Sequence, residues 1–177
     1  MAIHAMIDLE TLDTSPSATV LTLGAVKFDP YTANEPYAEL YLKLDLDEQD
    51  QMKRTVSDST VSWWATQDPK IQEDAFSPDG RTSINEALDQ LNRWLVGVDQ
   101  IWAQGYGFDV TMLEDIYRQK ARPIPWNFWQ VRDSRTLLGI LKEDPRKKMQ
   151  QNLHNALEDS RWQAKAVQIA FRDLGLS

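Results

Sequence analysis

Ile7-Asp8-Leu9-Glu10-Thr11 closes the first hydrophobic run of the chain, and the fold is read outward from it. Residues 2–8 read as a strand, with Met6 and Ile7 at its buried end. Side chains alternate along a strand, so Asp8 and Glu10 point to one face. Adjacent carboxylates repel and resist burial. A hard divalent cation such as Mg²⁺ or Mn²⁺ relieves that repulsion. Alone, the tripeptide reads better as a solvated turn, since such spacings are common by chance, so its meaning depends on the residues further along the chain.

The next segments build a meander. Asp, Ser and Pro between Leu12 and Ser17 mark a turn, and residues 18–28 form a second strand ended by Asp29-Pro30. Residues 37–44 alternate as a third strand. The polar segment 45–57 reads as a surface loop with some helical turn. Asp58 or Ser59 is placed to cap a short helix carrying Val61, Trp63 and Trp64, which Asp68-Pro69 ends. Ser83 with Glu86 is a capping-box pair, Leu88, Leu91, Trp94 and Leu95 recur at helical spacing, and Gly97 stops the helix.

Residues 100–103 read as a short buried strand, followed by the turn Gly105-Tyr106-Gly107 and a helix from Phe108-Asp109 to about Arg118. Residues 127–131 are expected to form the last strand and residues 134–142 a helix. The charged segment 142–151 reads as a mobile loop. The final helix starts near Asn155, paired with Glu158, and runs to Leu174 before Gly175. Three strands followed by helices alternating with strands predict an α/β domain with a mixed sheet, antiparallel first and parallel later, flanked by helices. Ligands of such sheets gather at the carboxyl ends of strands, where Asp8 and Glu10 lie.

A chain of 177 residues is expected to form a single domain, 1–177, with a sizeable core. No apolar run is long enough to span a bilayer, and no secretory leader is visible. Cysteine is absent, which excludes disulfides and thiol catalysis and is compatible with the cytoplasm. A net charge of −8 argues against a broad basic face for duplex nucleic acid, but not against an enzyme that grips a few nucleotides.

Asp109 follows a strand and a glycine turn at a helix start, where a helix cap would equally place an acid. His154 and Asp159 bracket the start of the last helix. They can converge if His154 stays outside the helix and Asp159 lies within it. Asp159 borders the small and apolar stripe Ala156, Ser160, Val167 and Ala170, which should pack on the sheet. His4, inside the first strand, reads as structural.

Taken in order, Asp8-Leu9-Glu10-Thr11, Gly107-Phe108-Asp109 and His154-Asn155-Ala156-Leu157-Glu158-Asp159 resemble the three motifs of the DEDDh 3′-5′ exonucleases, across nearly the whole chain. Residues 60–67 and 132–137 look like the branch that holds phage DexA-type and mycobacterial exoribonuclease-like proteins. Many relatives carry Asn four residues before the second-motif Asp, where this chain has Gly105.

The resemblance implies an RNase H-like fold and release of 5′-mononucleotides from 3′ ends of single-stranded DNA or RNA. It also implies two Mg²⁺ or Mn²⁺ ions held by Asp8, Glu10, Asp109 and Asp159, with His154 as general base and Glu10 also meeting the terminal 3′-hydroxyl. Leu9, Thr11 and Leu12 flank the expected pocket for the last nucleotide. Trp63, Trp64, Tyr106 and Phe108 are candidate stacking surfaces, at least one tryptophan being expected in the core. Arg132, Arg135 and Lys147 are candidate phosphate contacts. The expected setting is the cytoplasm of a bacterium or phage-infected host, with no membrane partner and the oligomeric state left open. An inactive nucleic-acid-binding domain of the same fold and a phosphatase of small nucleotides are the rival readings.

Overall fold

The computed structural model describes residues 2–148 and 154–176. Strands β1 (His4–Thr11), β2 (Val20–Phe28) and β3 (Tyr37–Leu44) form the antiparallel meander. β5 (Gln100–Ala103) and β6 (Val131–Asp133) extend it in parallel beyond β1, and β4 (Arg81–Thr82) pairs in parallel with β3 at the other edge. The order across the sheet is therefore β4-β3-β2-β1-β5-β6. β1 is an interior strand hydrogen-bonded on both sides, and its apolar run Ala5-Met6-Ile7 is buried on both faces.

The two faces of β1 serve different purposes. Ala5, Ile7 and Leu9 enter the larger core, beside Leu23 and Ala25 of β2 and under helices α4 (Ile84–Trp94) and α5 (Asp109–Gln119). Met6 faces the other way and meets Val26, Phe28 and Trp102 beneath α7 (Ala156–Asp173), which contributes Ala164, Val167 and Phe171. Asp8 and Glu10 continue the row begun by Met6, so strand alternation alone turns them toward α7. The stripe on α7 is buried as its spacing requires: Ala156, Ser160, Val167 and Ala170 have no exposed surface.

Several local expectations change. α1 (Leu46–Gln51) is a capped helix within the expected loop, its Glu48 N–H donating to Asp45. α2 (Asp58–Trp64) is capped by Ser57, one residue earlier than expected, because extended Ser57 accepts from the Thr60 N–H. Asp68-Pro69 begins a helix as well as ending one: Asp68 caps α3 (Pro69–Phe76), with Pro69 in the first turn where no N–H is needed. Residues 127–131 are not the last strand. Asn127 and Gln130 close a reciprocal cap around a 3₁₀ turn at Phe128–Gln130, which delays the strand to β6. α6 (Ser134–Gly139) stops short of residue 142. Within the expected mobile loop, Pro145–Lys148 form a 3₁₀ turn, and residues 149–151 lie outside the described residues. No described helix is long and apolar enough to cross a membrane.

The start of α7 sits unusually close to the sheet. Gly24 of β2 is paired with Asp8, and a Cβ on Gly24 would lie 2.1 Å from the Ala156 carbonyl carbon and 2.2 Å from the Leu157 nitrogen. Only a bare backbone admits that approach. Asn155, the N-cap of α7, donates to Asp74 of α3 at 3.0 Å, and Lys43 of β3 pairs with the same carboxylate at 3.1 Å. The helix start is thereby tied to the sheet.

Gly24→Ala is expected to push the start of α7 off the sheet, at a cost of about 1–3 kcal/mol or more. Gly139→Ala, in a helix with open space around the new methyl, should be neutral or slightly stabilising. Thermal melts of the two variants side by side test this. A Gly24→Ala protein as stable as the parent would show that the close approach is not a constraint.

Candidate active site

Three elements bring the acids together. β1 supplies Asp8 and Glu10, the first turn of α5 supplies Asp109, and the first turn of α7 supplies Asp159. Asp109 is not a helix cap: its carboxylate is buried and accepts the Leu9 N–H of β1 at 2.9 Å. His154 stays outside α7 in the left-handed region, with φ of 76°, and its N–H donates to Asp159 Oδ2 at 2.9 Å. This hydrogen bond turns the backbone so that imidazole and carboxylate converge. Ligand atoms of Glu10, His154 and Asp159 all lie within 4.8 Å of one another. Gln163, one helical turn after Asp159, donates its amide to Asp8 Oδ1 at 2.7 Å.

The electrostatics follow from crowding. Burial first, and then the charges of Asp109, Glu10 and Asp159, push Asp8 well above the ordinary carboxylate range. Burial, then Asp159 and Asp109, raise Glu10 to about 8. Burial raises Asp109 to about 7 against the opposing Leu9 N–H, and raises Asp159 to about 6 against the opposing His154 N–H. Burial lowers His154, which favours neutral imidazole. Glu10 is only 8% exposed, and no hydrogen-bond donor meets its carboxylate among the described residues. A divalent cation fits this donor set, because it would neutralise the repulsion and give Glu10 a partner.

The acids stand at the floor of a cleft of about 870 Å³. Of the expected substrate contacts, Leu9, Thr11, Phe108 and Arg135 line it, and so do Trp63 and Lys147. Trp64 does not. It is the core member of the pair, 2% exposed, with Nε1 donating to the Thr11 carbonyl at 2.9 Å, so it offers no face to a base. Trp63 is 40% exposed and meets the His154 ring edge-to-face at 4.7 Å. Leu12 packs with Leu21 and Trp64 away from the cleft. Exposed Tyr106 lies outside its wall, and Arg132 is turned back onto the carbonyls of Trp129 and Val131. His4 is structural, accepting from Trp102 Nε1 at 3.0 Å.

Gln163 and Trp162 of the cleft were not anticipated. Both come after Asp159 at helical spacing, four and three residues on, and that was the available signal. Gly105, at the departure from the family pattern, holds φ of 99°, a conformation open to glycine.

The family described as the Rv2179c-like 3′-5′ exoribonuclease domain matches residues 3–171. No curated protein sequence matches the chain. Solved structures share the fold at low identity. Cell-death related nuclease 4 superposes with a TM-score of 0.68 at 14% identity, covering 98% of this chain and 64% of its own. The nuclease domain of 3′hExo, a DEDDh family member bound to rAMP, has a TM-score of 0.63 at 15% identity, covering 97% and 92% respectively. Exonuclease I of E. coli in complex with a dT13 oligonucleotide has a TM-score of 0.68 at 14% identity, covering 99% of this chain but 43% of its own. The chain thus spans 64% of cell-death related nuclease 4 and under half of exonuclease I.

The raised carboxyls make a pH signature. Between roughly pH 4, where unfolded carboxyls titrate, and pH 8, the folded chain keeps protons that the unfolded chain releases. Stability in chelator should therefore fall as pH rises through the values of Asp159, Asp109 and Glu10. Asp8→Asn retains the oxygen that accepts from Gln163 and removes one charge. In EDTA at pH 8 it should melt above the parent, by about 2–4 °C for each kcal/mol of repulsion relieved, and the gap should close toward pH 5. Identical melting curves at both pH values would remove the repulsion from the description of the site.

Proposed function

The chain belongs to the Rv2179c-like 3′-5′ exoribonuclease domain family, and from that premise we propose that it is a divalent-metal-dependent 3′-5′ exonuclease acting as a single domain on single-stranded RNA or DNA in the cytoplasm. The observation that carries this reading is the convergence of Asp8, Glu10, Asp109 and Asp159 with His154 at the floor of one cleft. Asp8, Glu10, Asp109 and Asp159 would hold two Mg²⁺ or Mn²⁺ ions. When bound, such ions make water a stronger acid and offset charge on the reacting phosphate.

The chain's own residues do the rest. His154, kept neutral by burial, takes the proton of the attacking water as general base. The water oxygen bonds to phosphorus, the bond from phosphorus to the 3′-oxygen of the penultimate nucleotide breaks, and that oxygen takes a proton from solvent. A 5′-mononucleotide leaves, and the shortened strand keeps a new 3′-hydroxyl. Leu9 and Phe108 give the terminal nucleotide an apolar wall, and Trp63 is the exposed aromatic that a base can stack against. Arg135 and Lys147, on separate segments of the rim, are the cations available to the phosphates. Glu10 accepts from the terminal 3′-hydroxyl.

His154→Ala should lower kcat by roughly 10²–10⁴-fold with a much smaller change in KM. Single-turnover kinetics measure this, and an unchanged kcat would remove His154 from the reaction. Direction is tested on end-labelled RNA and DNA oligonucleotides carrying either a 3′-hydroxyl or a 3′-phosphate. The phosphate-ended strands should be degraded much more slowly, because their charge opposes Glu10 where a donor is expected. Products shortened from the 5′ end, or mononucleotide turnover without oligonucleotide turnover, would overturn the function.

A further inference from the structure

We propose that the outer edge of the sheet, along β6, holds the upstream nucleotides of the single strand whose 3′ end the cleft receives. Tyr106, Trp129 and Phe128 stack bases there, and Arg135 and Arg132 meet phosphates. The assignment rests on the function proposed above and extends it to a surface outside the cleft.

The three most exposed aromatic side chains among the described residues share this edge: Phe128 at 84%, Trp129 at 58% and Tyr106 at 53%. Scattered apolar residues on a surface need no explanation, but a cluster of large exposed rings does. Phe128 and Trp129 meet edge-to-face, with centroids 5.1 Å apart and planes at 85°, so the pair offers faces in two directions. The 3₁₀ turn that carries them leads directly into β6, and the Tyr106 N–H donates to Asp133 at the other end of that strand. The aromatics therefore bracket an edge strand that is about 10 Å long at the usual strand rise.

Charge favours an anionic occupant. Exposed Arg93, Arg118 and Arg172 each pair with a carboxylate, whereas exposed Arg132 and Arg135 meet none among the described residues. The bonds of Arg132 to the carbonyls of Trp129 and Val131 both use Nη1. They fix the guanidinium beside the tryptophan and leave Nη2 and Nε for a phosphate. Arg135 lines the cleft and donates to the Gln104 carbonyl at 3.4 Å, so the edge is continuous with the site. The neighbouring acids are engaged: Asp133 accepts from the N–H groups of Tyr106 and Thr136, and Asp99 from that of Ile3. Arginines beside exposed rings hold single strands without reading their sequence. The net charge of −8 confines such binding to a narrow track.

Binding is measured by anisotropy of 5′-labelled uridine and thymidine oligonucleotides in EDTA, where metal-dependent cleavage does not interfere. Strands of about 4 and about 12 nucleotides fall within ordinary single-strand site sizes. The longer strand should bind more tightly. Phe128→Ala and Trp129→Ala, made singly and together, should weaken it by roughly 5–100-fold, the range for loss of a stacked base. Trp129→Phe, which keeps a ring, should retain most of the affinity. Arg132→Gln should reduce the slope of log affinity against log salt by about 0.7, and Arg132→Lys should restore it. Tyr31→Ala, which removes an exposed ring set against Phe171 of α7, should bind as the parent does. Melting curves identify the variants that fold. Unchanged affinity and salt slope in folded Trp129→Ala and Arg132→Gln would overturn the track. So would a dimer, seen by sedimentation, that Trp129→Ala dissociates while strand affinity stays at the parent's value, because the edge would then join two copies of the chain. No readout needs hydrolysis, so a protein that binds through this edge but never cleaves in Mg²⁺ would count against the proposed function and not against this surface.

Discussion

Like charges crowded in a low-dielectric corner repel, and the folded chain holds four carboxylates together in spite of it. It does so by lending hydrogen-bond donors from the elements that carry the site. The acid of α5 is held by an N–H of β1, the acid of α7 by the residue just before that helix's N-cap, and Asp8 by a side chain one turn further along α7. Each bond crosses between elements or closes a helix start, so positioning the carboxylates and joining the secondary structure are one task. Glu10 is left without such a donor among the described residues. The corner is organised but electrostatically unfinished, which is the condition under which a cation is bound most usefully.

That arrangement requires the first turn of α7 to lie almost on the sheet. Gly24 permits it by having no side chain, directly across from Asp8. Asn155 and Asp74 then fix the helix start laterally toward α3 and β3. Neither residue belongs to the acidic constellation, yet both govern where His154 and Asp159 come to rest. An imidazole on a loop end would otherwise be free to swing. Here it is held by a backbone bond to Asp159 and a perpendicular contact with Trp63.

Much of this was legible in the residues. Residues 37–44 alternate cleanly and are the third strand, and Ser83 caps its helix as its pairing with Glu86 requires. The acids were legible because spacing on a strand or at a helix start fixes which face a charge occupies. Other features depended on tertiary context. Asp-Pro reads as a stop, but the same pair is a good start, and only the packing of Ala75 against Leu21 and Trp64 decides for α3. Trp63 and Trp64 are neighbours on one short helix, about 100° apart around its axis. Which of them is core is decided by where Leu12 and Leu21 arrive, and local periodicity contains no trace of that. Gln163 escaped notice because an uncharged amide on a helix carries little signal until the carboxylate beneath it is in place.

The separation of the site's parts along the chain has a consequence for synthesis. Asp8 and Glu10 are made well before His154 and Asp159, and the meander that carries them has partners close by in sequence. His154 and Asp159 come from the last helix and the residue pair before it, at the far end of the chain. Domains fold as units during translation at about 5–20 residues per second, so there is an interval of several seconds in which the ribosome displays the sheet without its final acid and imidazole. The corner of four acids and one imidazole is complete only once α7 has docked.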